Sequence, residues 1–147
     1  MGGRNGTVSG SGAGIALGIL TLINLFNYLD RYVVSSLVES LKRSELQLSD
    51  TQLGSLMTGF ILVYMLTSPI FGTLGDRRGR PRLLAMGVAI WSVATALGGL
   101  ARSFAGLFAA RATVGVGEAA YGTIAPALLA DYFPKEKRGR VFAVFFA

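Results

Sequence analysis

Residues 51–82 read TQLGSLMTGFILVYMLTSPIFGTLGDRRGRPR. The first 25 of them, Thr51 to Gly75, carry no charge, and the next seven hold one acid and four arginines. A helix that crosses a bilayer needs about 20 consecutive apolar residues. The first part is therefore a membrane span, and the second is the kind of basic loop that stays in the cytoplasm. The same pattern extends in both directions. Ala13 to Leu29 is uncharged over 17 residues, and Leu83 to Ala101 over 19. From Ser103 to Ala130, 28 residues carry only Arg111 and Glu118 as charges. Four spans follow, at about 14–37, 51–75, 82–101 and 104–130. Val141 to Ala147 (VFAVFFA) is apolar for seven residues and reads as the start of a fifth span that continues in a larger protein. The fold class is an all-α membrane protein.

Composition agrees. Of 147 residues, 52% are hydrophobic and 15% charged, against about a quarter charged in a soluble domain. There is no cysteine and no histidine. That removes disulfides, thiolate metal sites, thiol nucleophiles and the commonest general base, leaving proton chemistry to carboxylates. The net charge of +6 is interleaved with apolar runs, which fits membrane topology and not nucleic acid. No nucleotide-binding loop is present, and the expectation is no enzyme activity, no cofactor and no metal.

The cations set the orientation. Arg4, Arg77, Arg78, Arg80, Arg82, Lys135, Lys137, Arg138 and Arg140 fall on one side, against Arg31, Lys42, Arg43 and Arg102 on the other. By the positive-inside rule the N-terminus and both strongly basic loops are cytoplasmic. The expected location is the cell membrane, the inner membrane if the source is bacterial. Residues 1–13 are Gly/Ser-rich and are expected to form a disordered cytoplasmic N-terminus, leaving the Asn5-Gly6-Thr7 sequon unused. No small-residue cleavage site follows, so the segment does not read as a signal peptide. Lys42 to Asp50 reads as a mixed-charge outer loop in which Ser49 caps the second span.

Within the spans, Pro69 and Pro126 would bend their helices. Gly115, Ala119 and Gly122, and Ser55 with Gly59, recur at spacings that allow close helix packing. The intramembrane charges are the candidate site, because a buried ion survives only when it is paired or faces water. Arg111 and Glu118 are seven residues apart, on one face and about 10 Å from each other, too far for a direct pair on a straight helix. Gly115 and Gly122 on that face would leave room for solvent or ligand. Asn24, Asn27, Asp30 and Arg31 line a stripe of the first span, with Tyr121 a further cavity-lining candidate. The plainer alternative is that the charges form structural interhelical pairs.

The loop Gly72-Thr-Leu74-Gly75-Asp76-Arg77-Arg78-Gly79-Arg80-Pro81-Arg82 resembles the signature between the second and third spans of the major facilitator superfamily. The expected final cation is displaced by one place to Arg82, because Pro81 intervenes. Gly72 and Gly79 are expected to allow a tight turn, with Asp76, Arg77 and Arg80 supplying ion pairs at a moving interface. Arg111 to Glu118 (RATVGVGE) resembles the family's second motif, and Pro134 to Arg140 its usual entry to the fifth span. Asn27-Tyr28-Leu29-Asp30-Arg31 resembles the Spinster-like lipid transporters, and also the symporters of sugar acids; Glu118 favours the former.

The resemblance implies a major facilitator fold, with residues 14–147 forming part of the N-terminal six-helix bundle of a twelve-span transporter. By span count the chain would be a little over a third of the whole. It implies a secondary active transporter, proton-coupled, working by alternating access on a lipid or amphipathic organic anion. The other readings are a sugar-acid symporter and a non-transporting scaffold or receptor. In the first reading Arg111 would attract an anionic headgroup and Glu118 would exchange protons. Asp30 and Arg31 would belong to the outer gate or coupling network, while the motif loop is a cytoplasmic latch that does not touch substrate. Partners implied are the substrate, protons, membrane lipids and the other half of the transporter, with no nucleic acid.

Overall fold

The computed structural model describes residues 10–43 and 46–147. Arg4, the sequon and the rest of residues 1–9 lie outside the described residues. Six helices follow in order: α1 (Gly10–Ser36), α2 (Val38–Arg43), α3 (Asp50–Arg77), α4 (Arg80–Gly99), α5 (Phe104–Tyr132) and α6 (Lys135–Phe145). The four expected spans correspond to α1, α3, α4 and α5. Helix α1 begins at Gly10, inside the segment expected to be disordered, and Ala13 is already buried. Helix α6 starts at Lys135, six residues before the apolar run that suggested it. Helix α2 was not foreseen within the outer segment. Glu39 in its first turn and Lys42 and Arg43 in its last suit the helix dipole, and Glu39 pairs with Arg43 one turn on.

Helix ends follow local chemistry. Ser49 caps α3 in a full capping box: its side chain accepts from the Gln52 amide, and Gln52 accepts from the Ser49 amide at 3.0 Å. Ser103 caps α5 by accepting from the Gly106 amide. The far end of α5 is closed by Arg138, which donates to the carbonyls of Ala130 at 2.7 Å and Phe133 at 3.1 Å. Both Pro69 and Pro126 lie inside helices that continue past them.

Three described helical stretches are long and apolar enough to cross a membrane: Ser11–Val33, Asp50–Arg77 and Arg80–Gly99. Helix α5 has 29 residues, enough to span, but keeps Arg111 and Glu118 inside the protein. The reason is its place. It packs along α3 and α4 and also touches α1 and α6, so it meets protein on most sides instead of lipid. The core runs in three layers along it. At the basic-loop end, Tyr121, Ile124 and Leu129 pack with Leu20, Leu84 and Phe145. Phe60, Trp91, Ala94 and Val114 form the middle. Leu48, Leu53 and Leu56 close the opposite end.

Glycine permits the closest crossings. A Cβ on Gly117 would lie 2.5 Å from the Gly87 carbonyl oxygen, and one on Gly115 would lie 2.9 Å from that of Phe60. The space beside Gly115 is thus filled by the α3 backbone, and Gly122 faces the Tyr64 hydroxyl. The room for solvent or ligand expected on this face is absent at the buried Gly115, whereas Gly122 is exposed.

Candidate functional site

Helices α1 and α5 bring four charges together in two interhelical ion pairs. Arg111 Nη1 donates to Asp30 Oδ2 at 2.8 Å. Arg31 donates to Glu118 Oε2 through Nε and Nη2, both at 2.8 Å. Glu118 is completely buried and Arg111 is 7% exposed, whereas the Arg31 side chain is 39% exposed. Adjacent residues on α1 thus engage charges two turns apart on α5. Arg111 and Glu118 do not pair with each other, as their spacing required; each takes its partner from the neighbouring helix.

Neutral groups complete the cluster. Thr95 of α4 donates to the other oxygen of Asp30 at 3.3 Å. Phe60 of α3 has the Arg111 guanidinium 4.5 Å and the Arg31 guanidinium 5.4 Å from its ring centre, and Tyr64 lies 5.4 Å from Arg31. Four buried polar atoms have no protein partner among the described residues: Glu118 Oε1, Arg111 Nε, Asn27 Nδ2 and Thr21 Oγ1. Such atoms are costly unless water or a ligand reaches them.

The remaining candidates divide. Asn24 donates to the Phe145 carbonyl at 2.8 Å, tying α1 to the end of α6. Tyr121, 1% exposed, donates its hydroxyl to the Leu20 carbonyl and packs between Trp91 and Phe145. It is a core residue. A cavity of about 570 Å³ opens beside the Asp30–Arg111 pair, bordered also by Thr95 and Arg102 with apolar side chains such as Leu37 and Leu107. Asn24, Asn27 and Tyr121 do not border it.

The motif loop builds a second cluster at the far end of the bundle. Arg80 bonds Asp76 Oδ1 at 3.0 Å, pairs with Asp131 of α5, and donates to the Ala127 carbonyl at 3.3 Å. Asp131 was missed as a site residue, although it is the one acid closing the fourth span. Arg77 makes no ion pair among the described residues. The expected glycine turn takes another form. Gly72 sits within α3, which runs on to Arg77, and Gly79 caps α4 at φ −59°, a value open to any residue. Only Arg78 and Gly79 separate the helices, so no left-handed residue is needed. Thr95, Phe60 and Tyr64 carried no sequence signal: a threonine and two aromatics in apolar spans are unremarkable until the fold places them. Among the described residues no group of acidic side chains is arranged to hold a metal ion.

A helical membrane bundle with an Asp-Arg motif loop and buried interhelical charges defines a class of protein, and comparison with known proteins agrees. The Major Facilitator Superfamily profile matches residues 20–147, and the chain belongs to that superfamily. Within it, the chain is similar to Spinster proteins. It is 40% identical over 128 residues to Protein spinster of Drosophila melanogaster, covering 87% of this chain and 21% of that one. It is 38% identical over 138 residues to Protein spinster homolog 1 of Homo sapiens, covering 90% and 25%. The fold matches the crystal structure of a bacterial homologue of the human lysosomal transporter Spinster, in an inward-facing and unoccupied conformation. That match has a TM-score of 0.86 and 32% identity, over 91% of this chain and 28% of the other. The chain therefore spans about a quarter of the length of these relatives, a smaller share than span counting suggested.

Proposed function

We propose that the chain is part of the N-terminal half of a secondary active transporter of the Spinster type. It moves a lipid or amphipathic organic anion by alternating access and couples that movement to protons. The observation that carries this reading is Glu118, a fully buried carboxylate with one oxygen held by Arg31 and the other without a partner among the described residues. Intramembrane carboxylates of this kind mark proton relays in pumps and transporters. A proton taken by Glu118 releases Arg31, so the tie between α1 and α5 depends on the charge state of one group.

Arg111 is engaged by Asp30, so an anionic headgroup reaches it only by competing with that carboxylate or after Asp30 is neutralised. The motif cluster of Asp76, Arg80 and Asp131 serves as the cytoplasmic latch at the opposite end. The protein sits in the cell membrane with its N-terminus and basic loops in the cytoplasm. The remaining helices of the transporter supply the other cavity wall.

The substrate class is tested with the complete transporter in proteoliposomes, comparing flux of radiolabelled lysophospholipid with that of a hexuronate. Saturable lysophospholipid flux supports the proposal. Flux of the hexuronate alone would move the protein to the sugar-acid symporters.

A further inference from the structure

Two arginines of the ion-pair cluster share one aromatic ring. Phe60 is 6% exposed, with the Arg111 guanidinium 4.5 Å and the Arg31 guanidinium 5.4 Å from its centre. The ring reaches this position because Gly115, one turn beyond Arg111, presents no Cβ to the α3 backbone at Phe60. Tyr64, one turn along α3, adds a second ring 5.4 Å from Arg31. An aromatic face attracts a cation most strongly where water is excluded. Phe60 thus offers a neutral partner to both cations, and the two like charges gather around it without a third carboxylate.

We propose that Phe60 is a positioning residue for both ion pairs, holding Arg31 and Arg111 in their crossed pairing by cation–π attraction. This rests on the transport reading above and deepens it. When Glu118 takes a proton from solvent, Arg31 stays cationic and loses its ionic partner. The Phe60 and Tyr64 rings then keep it in place instead of letting it swing away from Glu118. The ionised groups facing Glu118 are Arg31, Arg111 and Asp30. Helix α3 contributes only the two aromatic rings, and α4 sets Thr95 against Asp30. Return of Arg31 to Glu118 after deprotonation is therefore a short movement over a fixed ring.

The test replaces Phe60 in the complete transporter by mono-, di- and trifluorophenylalanine, which drain the ring's negative face with little change of shape. The same series at Phe108 is the control, because that ring packs on Phe104 and Gly59 with no cation beside it among the described residues. Two readouts are taken: the thermal unfolding midpoint of the purified transporter, which needs no transport, and substrate flux in proteoliposomes. Expected is a graded fall in both at position 60, reaching about two- to tenfold in flux for the trifluoro ring, with little change at position 108. Phe60→Leu should resemble the trifluoro variant. Equal responses at positions 60 and 108, or no response at either, would overturn the proposal. A graded midpoint in a protein whose wild type shows no flux would support the ring's role and sink the transport reading alone.

Discussion

Arg31 and Glu118 lie 87 residues apart in the chain and meet through a bond of 2.8 Å, while Glu118's helical neighbour Arg111 turns to Asp30 instead. The crossing makes α1 and α5 a pair of levers joined at two charged points. Each point is different in kind: Glu118 is fully buried and bonded to the partly exposed Arg31, whereas Asp30 stands at the wall of an open cavity. In the proposed reading, a substrate anion and a proton would have separate places to act on one helix pair.

The Asp30–Arg111 pair should show strong thermodynamic coupling. Removing one partner of a buried pair leaves the other uncompensated, at a cost of about 3–5 kcal/mol. Asp30→Asn and Arg111→Gln should each lower the unfolding midpoint of the purified transporter, and the double variant should lose less than the two singles combined. Strictly additive losses would mean that the pair does not form in the folded protein.

Close helix crossing makes opposite predictions for two glycines. Gly117→Ala would put its Cβ 2.5 Å from the Gly87 carbonyl and 2.7 Å from the Trp91 amide, so α4 and α5 must separate. A loss of about 1–3 kcal/mol is expected. Gly79→Ala, at a signature position of the motif, meets nothing within 4 Å and needs no unusual backbone angle. Its stability should change by less than about 0.5 kcal/mol. Thermal unfolding of both variants checks the contrast, and a Gly79→Ala variant as unstable as Gly117→Ala would contradict it.

At the latch, Asp131 should matter more than Asp76. Arg80 bonds both, but Asp76 is largely exposed and only spans the two-residue connection between α3 and α4, where such surface pairs contribute about 0.2–1 kcal/mol. Asp131 instead ties the start of α4 to the far end of α5, 51 residues along the chain. Spectroscopic distances across the motif-loop face should shift toward inward-open populations in Asp131→Asn and less so in Asp76→Asn. An unchanged distribution in Asp131→Asn would remove the latch role.

Much of this was legible from the sequence because membrane spans are written in composition. Uncharged runs located α1, α3 and α4, and a run with only two charges located α5, since a bilayer demands apolar length whatever the tertiary contacts. The charges Asp30, Arg31, Arg111 and Glu118 stood out for the same reason. Their pairing did not, because it depends on how α1 and α5 are rotated and shifted against each other, and spacing along one helix cannot contain that. Phe60 and Thr95 were silent for a related reason: an aromatic or a threonine in a span has no cost to explain until a guanidinium or carboxylate is placed beside it. Tyr121 misled in the other direction. It was a cavity-lining candidate, but its hydroxyl donates to the Leu20 carbonyl within the core. Gly72 and Gly79 were read as turn residues from the motif, yet α3 simply runs through the first.

Glu118→Gln isolates the proposed role of the buried carboxylate. The substitution keeps the shape and hydrogen-bonding capacity of a protonated carboxyl group while removing its exchange of protons. Flux of lysophospholipid by the complete transporter is measured in proteoliposomes across a series of imposed pH gradients, for wild type and Glu118→Gln side by side. The account predicts that the variant folds and binds substrate but moves it at a rate independent of the gradient. A Glu118→Gln transporter with the wild-type response to pH would contradict it, and would place the coupling proton elsewhere, with Asp30 as the next group to replace.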